Sequence, residues 1–432
     1  GTVEINEKHI AAFGARIKTI DGLTLEIKNF QSPYTSQFLE IVLAGALALR
    51  ASDIHLEPGE KTNTLRLRID GLLHLVYNEF PAVTYRSIIT RIKLLSGLKL
   101  NVRDEPQDGR FTMGLSDRDI EIRTSVIPSE YGETVVLRLL DPRALKVNLE
   151  ELGWREDDLK IAKAEIAKPN GLILNTGPTG SGKTTTLYAF LRAVSRPEIK
   201  IITIEDPVEY HLPGISQTQV DPGAHYTFAS GLRSILRQDP NIVLVGEIRD
   251  KETSEIALNA SLTGHLVLST LHTNDAVGAI PRLIDLGAKT QVLGPALSLI
   301  IAQRLVRVLC PKCKKKLELD NKIKNKINEF IEKLPARIDK KKYETLSVFE
   351  PVGCIECGNL GYRGRISIFE LFVVDETIEA AIYRNPTEIE LKELAKNQGM
   401  VSLQEDGLLK VFLGFTSLAE VERVTGLVLW LH

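Results

Sequence analysis

The feature that most constrains this chain is a glycine-rich run, GPTGSGKT, at residues 177–184. An apolar stretch at 171–176 precedes it and predicts a strand, and residues 185–191 predict a helix. The run therefore fits the pattern G-x-x-x-x-G-K-[ST] in the strand–loop–helix context where backbone N–H groups surround a phosphate. The helix N-terminus adds partial positive charge. A chance glycine-rich turn is the alternative, and the flanking strand and helix weigh against it.

Side chains of this loop are predicted to bind a nucleotide, with ATP and Mg²⁺ as the expected ligands. Lys183 should reach the outer phosphates, and the hydroxyl of Thr184 should bind the metal. The predicted nucleotide-binding residues of the segment are Gly177, Pro178, Thr179, Gly180, Ser181, Gly182, Lys183, Thr184 and Thr185.

Acidic residues follow two further apolar strands. Glu205, Asp206 and Glu209 end the run that begins at Ile201, and Glu247 ends the run at 242–246. In an open α/β sheet the ligand lies beyond the carboxyl ends of the strands, so these acids should face the γ-phosphate. Hydrolysis needs one acid near Mg²⁺ and another that orients water. The alternative is that they are solvated strand-end acids or helix caps.

Two histidines flank a third apolar strand. His265 stands at the start of the strand at 265–270, and His272 follows it. A histidine at a strand end can contact a γ-phosphate, or it can be a satisfied structural side chain. Position alone leaves both interpretations open for each histidine.

The size and charge of the chain limit the classes of protein it can belong to. Its 432 residues, 43% hydrophobic and 25% charged, predict two or three globular domains. The net charge of −2 gives no overall field that favours nucleic acid. No apolar run approaches the roughly 20 residues of a membrane span. Four cysteines do not make a disulfide-rich secreted scaffold, so a reducing cytoplasm is expected.

The pattern along the chain predicts two main domains. Periodic segments at 36–49 and 86–100 predict helices, and the alternation at 65–69 before Asp70-Gly71 predicts a strand and hairpin turn. Later, apolar strands alternate with helices, which predicts a mostly parallel sheet. We predict a stub at 1–31, a small α+β domain at 32–140, a linker at 141–152 and an α/β ATPase domain at 153–432. That last domain would carry a zinc-binding subdomain at about 308–360 and a helical part at 370–432.

The four cysteines form two C-x-x-C pairs. These are Cys310 with Cys313, and Cys354 with Cys357. Two such pairs can supply the four thiolates of a tetrahedral structural zinc site, with no open position for catalysis. Two disulfides or a redox pair are the alternatives, and the expected cytoplasmic setting favours zinc. Between the pairs, residues 312–344 hold 12 Lys or Arg and 6 Asp or Glu.

Taken together, these motifs resemble the secretion ATPases of the type II secretion and type IV pilus assembly family. The resemblance covers nearly the whole chain from about residue 36, and the order of the motifs is more specific than the phosphate loop alone. The two cysteine pairs favour an assembly or secretion motor over a retraction motor. The matching segments are 51–58, 106–110, 177–186, 204–209, 236–240, 245–250 and 263–273.

The resemblance implies a role for individual residues. Glu209 would orient the attacking water, Glu247 would act through water on Mg²⁺, and His265 and His272 would form a histidine pair at the site. Arginines would stabilise negative charge, some of them from a neighbouring subunit. These are Arg110, Arg123, Arg233 and Arg249.

The resemblance also implies an architecture and partners. A RecA-like ATPase domain would follow a smaller PAS-like α+β domain, and a homo-hexameric ring would form. Hydrolysis would move the small domain against the ATPase domain and drive an inner-membrane platform protein, with associated cytoplasmic-side proteins and acidic phospholipid as further partners. The chain would be cytoplasmic and peripheral to the inner membrane. Asp104-Glu105 departs from the family's usual basic or apolar pair, and the family's N-terminal recruitment domain is expected to be missing or reduced to residues 1–31.

Two other classes of function share parts of this pattern. A nucleic-acid-dependent hexameric helicase or translocase would use the same loop and acids, but the net charge of −2 and the lack of an aromatic stacking platform disfavour it. No nucleic-acid partner is therefore expected. A nucleotide switch that binds without hydrolysis is the third possibility.

Overall fold

A computed structural model describes residues 7–30, 35–145 and 147–431 of the chain. The chain divides into two compact units. The first comprises Gly1–Lys146, Leu309–Lys315 and Pro351–Gly364, and the second comprises Val147–Val308, Lys316–Glu350 and Arg365–His432. The predicted domain bounds remain a prediction.

The first unit is built on a six-stranded antiparallel sheet with the strand order β3-β2-β1-β6-β5-β4. Its strands are β1 (Ala51–Glu57), β2 (Asn63–Ile69), β3 (Leu72–Phe80), β4 (Gln107–Leu115), β5 (Arg118–Ser129) and β6 (Gly132–Leu140). Its helices are α1 (Glu7–Arg16), α2 (Ile20–Lys28), α3 (Thr35–Ala48) and α4 (Ala82–Leu95).

Alternating side chains explain this sheet. On β2, Leu65, Leu67 and Ile69 are buried, because every second side chain of a strand faces the core. Asp70 and Gly71 both have positive φ and connect β2 to β3. The predicted strand and hairpin turn are confirmed.

Residues near the start of the chain contribute to the same core. The sequence predicts only a stub at 1–31, whereas its described part forms α1 and α2. Ile10, Ile17, Leu23 and Ile27 are buried in the hydrophobic core of the first unit. Short amphipathic helices of this kind are stabilised by tertiary packing more than by local propensity, so their sequence signal is weak.

The second unit contains a seven-stranded sheet with the order β15-β12-β7-β11-β10-β8-β9. The pairs that join β9, β8, β10, β11, β7 and β12 are all parallel. The strands are β7 (Gly171–Thr176), β8 (Ile201–Glu205), β9 (Ser216–Gln219), β10 (Ile242–Val245), β11 (Leu266–Leu271), β12 (Leu297–Leu309) and β15 (Tyr362–Val373), with two short strands, β13 (Lys315–Lys316) and β14 (Phe349–Glu350), between the last two.

Helices connect these strands and complete the C-terminal part. They are α5 (Glu156–Ile166), α6 (Lys183–Val194), α7 (Phe228–Leu236), α8 (Lys251–Leu262), α9 (Ala279–Asp285), α10 (Thr290–Ala296), α11 (Asn321–Lys333), α12 (Glu376–Tyr383), α13 (Glu388–Asn397), α14 (Leu403–Phe412) and α15 (Leu418–Thr425).

The mostly parallel α/β sheet confirms the coarse fold class. All residues of β7, β8, β10 and β11 are buried, as expected for strands covered on both faces. The C-terminal part predicted to be helical at 370–432 contains α12 to α15, and β15 overlaps its first residues. Among the described residues, no helix combines the length and apolar character needed to cross a bilayer.

Candidate functional site

The glycine-rich loop lies between β7 and α6, as the sequence predicts. Gly177, Gly180 and Gly182 all have positive φ. A Cβ at Gly177 would lie 2.5 Å from the carbonyl oxygen of Gln303, and a Cβ at Gly182 would lie 2.8 Å from Nε2 of Gln303. Only glycine fits at these two points, and a loop without side chains there lets an anion approach the backbone closely.

Lys183, the first residue of α6, folds back over the loop. Its Nζ donates to the carbonyl oxygens of Gly177 at 2.7 Å and Pro178 at 3.1 Å. Burial lowers the pKa of Lys183 to about 8, with Arg304 adding to the effect and Glu247 opposing it. An anion at the loop would favour the charged amine, so this lysine is suited to a phosphate ligand.

The acid after β10 lies at the same edge of the sheet. Oε2 of Glu247 is 2.5 Å from Nε of Arg249 and 3.6 Å from Nε2 of His272. Glu247 is buried, and its charge acts on Lys183. The structure therefore brings Lys183, Glu247, Arg249 and His272 together beside the phosphate loop.

His272 follows β11 at the edge that carries the loop, because Leu271 pairs with Thr176. Burial lowers the pKa of His272, and the charge of Lys183 lowers it further. The imidazole is therefore neutral at pH 7 and can donate or accept a hydrogen bond.

His265 lies at the opposite end of β11. The next residue, Leu266, pairs with Gly171, whereas the loop follows Thr176. Five strand steps of about 3.3 Å place roughly 16 Å between the two ends. Nδ1 of His265 lies 3.1 Å from the carbonyl oxygen of Ala260. Within one chain the structure does not bring His265 beside the glycine-rich loop, and its predicted catalytic role stays a prediction.

Glu205 lies inside the fold instead of facing a ligand. It is 4% exposed, and it accepts hydrogen bonds from the side chains of Tyr188, Thr203 and Gln217. A carboxylate with these partners supports β8 and α6 and is not oriented toward a phosphate, so the geometry does not support its predicted contact with the nucleotide.

The acids that follow Glu205 lie nearer to solvent. Asp206 is exposed and Glu209 is half-buried, both in the turn after β8. Their predicted contacts with nucleotide and water stay predictions. Thr184 is exposed in the first turn of α6, whereas the Ser181 hydroxyl is buried in the loop without a hydrogen-bond partner. An accessible hydroxyl suits Mg²⁺, which binds through few protein oxygens and keeps several waters.

The predicted arginines lie on several elements. Arg233 on α7 pairs with Glu252 on α8. In the first unit, Arg110 on β4 and Arg123 on β5 are direct cross-strand neighbours, and Arg110 is 75% exposed. Nε of Arg123 donates to Oε1 of Glu121 at 3.2 Å. These two arginines lie on the exposed side of the sheet, and both contact the carboxylate of Glu121.

Two residues of β12 that the sequence analysis missed support the loop. Gln303 is 1% exposed, and its Oε1 accepts from Nδ2 of Asn175 and Oγ1 of Thr186, both at 2.9 Å. Arg304 donates to the carbonyl oxygen of Asn274 at 3.1 Å, and its charge acts on Lys183. A polar pair that follows the apolar run 299–302 is the signal that was available.

The four cysteines converge in the first unit. Their Sγ atoms all lie within 4.8 Å of one another. The separations are 3.9 Å for Cys310 with Cys354, and 3.8 Å both for Cys313 with Cys357 and for Cys354 with Cys357. A tetrahedron with Zn–S bonds of about 2.3 Å has S···S edges of about 3.8 Å, so the cluster fits zinc. A disulfide needs about 2.05 Å, so the four cysteines are free thiols.

Backbone N–H groups surround one of these sulfurs. Sγ of Cys357 accepts from the N–H groups of Cys354 at 3.2 Å and Gly361 at 3.3 Å. Burial alone would raise the pKa of the Cys357 thiol, but these hydrogen bonds lower it to about 7. Cys357 thus favours the thiolate, which is the form that binds metal. Burial raises the pKa of the Cys313 thiol to about 12.

Comparison with known proteins agrees with this geometry. A family model described as "Type II/IV secretion system protein" matches residues 31–423. The chain is 46% identical over 401 residues to type II secretion system protein E of Pseudomonas aeruginosa, which covers 90% of this chain and 75% of that protein. It is 44% identical over 390 residues to type II secretion system ATPase E of Vibrio cholerae, with the same shares covered.

A pilus protein and two solved structures are also similar. The type IV pilus assembly ATPase PilB of Thermus thermophilus is 42% identical over 385 residues, 89% of this chain and 42% of that protein. The pilus retraction motor PilT with bound ADP has a TM-score of 0.56 at 25% identity, over 89% of this chain and 95% of that one. The Legionella pneumophila ATPase DotB shares the fold. Its TM-score is 0.65 at 21% identity, and the match covers 92% of this chain and 98% of DotB. The chain therefore belongs to the family of type II/IV secretion system proteins, as its motifs predict, and it is an ATPase of that family.

Proposed function

We propose that this chain is the ATP-hydrolysing motor of a type II secretion or type IV pilus assembly machine. The convergence of Lys183, Glu247 and His272 at the carboxyl edge of the sheet, beside the glycine-rich loop, carries the proposal. Similarity to type II secretion system protein E and to PilB supports secretion or pilus assembly as the process driven.

The loop would bind the triphosphate, and Lys183 would change partners. In the structure its amine donates to the carbonyl oxygens of Gly177 and Pro178. A phosphate oxygen would replace these neutral acceptors with a charged one, which makes a stronger hydrogen bond. Thr184 would hold Mg²⁺, and the metal, when bound, would neutralise negative charge on the phosphates.

Three side chains would manage water and charge at the γ-phosphate. Glu209 would orient the attacking water, and Glu247 would hold a water beside the metal site. His272 would donate a hydrogen bond to the γ-phosphate from a neutral ring. Because Glu247 lies 3.6 Å from His272, movement of either side chain would change the electrostatic interaction of the other.

We infer a hexameric ring for the active form. Arg110 and Arg123 from the first unit, together with Arg233 and Arg249, would supply the cations that phosphoryl transfer requires, some across a subunit boundary. A RecA-like ATPase domain preceded by a PAS-like domain would be the moving parts. The partners would be an inner-membrane platform protein and acidic phospholipid at the cytoplasmic face, and the four cysteines would hold a structural zinc ion.

ATP turnover with defined additives tests this function. We expect Lys183→Ala to lose at least about 100-fold in kcat, because a positioned charge at the transferred phosphate is removed, whereas Lys168→Ala on the surface should turn over ATP normally. Platform protein or vesicles that contain acidic lipid should raise turnover. If single-stranded DNA raises turnover instead, the proposed function is wrong and a nucleic-acid translocase becomes the better assignment. If the parent chain binds ATP but does not hydrolyse it, a nucleotide switch becomes the better assignment.

A further inference from the structure

A buried carboxylate outside the predicted site joins two parts of the second unit. Glu370 lies on β15 between Phe369 and Leu371 and is 4% exposed. Its Oε1 accepts from the backbone N–H of Ala276 at 2.8 Å, and its Oε2 accepts from that of Leu403 at 3.3 Å. Each oxygen thus holds a different segment, so a single side chain bridges them.

The first segment carries His272. Ala276 lies four residues after His272. The backbone N–H of Thr273 donates to Oγ1 of Thr176 at 2.8 Å, and Oγ1 of Thr273 donates to the carbonyl oxygen of Asp275 at 2.8 Å. The segment is therefore held at one end by the strand that leads into the phosphate loop, and at the other end by Glu370.

The second segment is the first turn of α14, which begins at Leu403. One turn along, Asp406 accepts from the N–H of Phe369 at 2.8 Å and from Nη1 of Arg155 at 2.8 Å. Two carboxylates therefore hold α14 against β15. Arg155 lies just beyond the predicted linker at 141–152. The hydrogen bonds of Glu370 and Asp406 therefore connect the segment after His272, beside the glycine-rich loop, to a residue next to that linker.

Burying this carboxylate carries a cost. Burial raises the pKa of Glu370 to about 7, and the charges of Asp275 and Glu405 add to the rise. The N–H groups of Ala276 and Leu403 oppose it. The hydrogen bonds to both segments offset the desolvation cost, which an apolar residue on this strand would avoid.

We propose that Glu370 is a positioning residue, which holds the His272 segment in place for hydrolysis and couples its position to α14. The inference rests on the proposed function and deepens it: movement of His272 on loss of the γ-phosphate would pull on Ala276, and Glu370 would pass the displacement to α14 and Arg155. A chain of contacts becomes a coupling route only when two positions are shown to act together. The test therefore measures coupling.

Glu370→Gln separates positioning from stability. The amide keeps the volume but has one acceptor oxygen, so one of the two links must break. We expect kcat to fall about 10-fold while KM for ATP changes less than about 2-fold, because the phosphate loop is untouched. In a His272→Ala background the same substitution should change kcat less than about 2-fold, since the side chain that it positions is gone.

Matched variants complete the experiment. Glu165→Gln removes another buried carboxylate, which lies on α5 and pairs with Lys168 just after that helix, and it should leave kcat and KM unchanged. Glu370→Asp keeps both oxygens on a shorter side chain, should recover part of kcat, and serves in the same cycle if the amide variant does not fold. Independent, multiplicative losses from Glu370 and His272 substitutions would overturn the inference. A parent chain that hydrolyses no ATP would instead overturn the proposed function.

Discussion

Lys183 is held in the folded chain by neutral acceptors, the carbonyl oxygens of Gly177 and Pro178. Burial lowers the pKa of Lys183 to about 8, so a large fraction of its amines is uncharged at and above that pH. Gly177 and Gly182 lie so close to Gln303 that neither position has room for a Cβ, and the loop packs tightly against β12 for this reason. The loop can therefore accept an anion without rearranging its backbone. A bound anion would shift Lys183 toward its charged form.

Nucleotide binding should take up protons at pH 8.5. A phosphate favours the charged amine and raises the pKa of Lys183, so a site that is partly deprotonated when free gains a proton on binding. Calorimetry of ADP binding in two buffers of different ionisation enthalpy measures this uptake. Lys183→Met should remove it, and equal binding enthalpies for the parent in both buffers would contradict the expectation.

Gln303 should matter for stability and for the loop together. Gln303→Leu leaves the buried groups of Asn175, Thr186 and Ser367 without their partner. Unsatisfied buried polar groups cost about 1–3 kcal/mol each before relaxation, so the free energy of unfolding should fall by about 3 kcal/mol. Urea unfolding measures this, and nucleotide affinity should weaken as well. Gln291→Leu on the exposed side of α10 is the control, and equal effects of both substitutions would argue against a special role for Gln303.

At the scale of elements, the direction of parallel strands decides which residues meet. β10 and β11 run parallel in register, so Glu247 and His272, just beyond their carboxyl ends, become neighbours. His265 lies next to the same strand, β11, but at its other end. A motif that includes both histidines in one contiguous stretch therefore contains residues from two edges of one sheet.

The cysteine-bearing turns should melt as one element with their metal. Zinc binding contributes on the order of 10 kcal/mol in small zinc domains, so Cys357→Ser should remove about one zinc per chain and lower Tm by about 5 °C or more. Metal analysis and thermal unfolding of the purified protein check both expectations. Val352→Ser, at a 60% exposed position beside Gly353, should change neither. Full thermal stability in a zinc-free Cys357 variant would exclude a structural role for the metal.

At the scale of the whole molecule, the proposed ring predicts complementation between inactive chains. If Arg123 acts on a nucleotide bound by a neighbouring subunit, a mixture of Arg123→Ala and Lys183→Ala chains should form some sites that have both groups. We expect the mixture to recover about a quarter of the parent's activity, because two independent choices of neighbour at each interface must both be right. Turnover that stays at the level of the separate variants, in a mixture shown to assemble, would place Arg123 in its own subunit's site or outside the chemistry.

The sequence alone determined the features that depend on contiguous residues. The glycine-rich loop at 177–184 is a local backbone arrangement between a strand and a helix, and β2 follows from strict alternation of polar and apolar residues. The local C-x-x-C spacing of the two cysteine pairs likewise predicted a four-cysteine metal site. Each of these patterns is read within a few residues, because the physical constraint acts between chain neighbours.

Only the tertiary structure decided which distant side chains meet. Glu205 and Glu247 both end apolar strands, but the first is enclosed by Tyr188 and Gln217, and the second lies beside His272. The bridge that Glu370 makes between Ala276 and Leu403 has no local signature. Strand order and crossover connections set these contacts over long sequence separations, and no pattern of neighbouring residues encodes them.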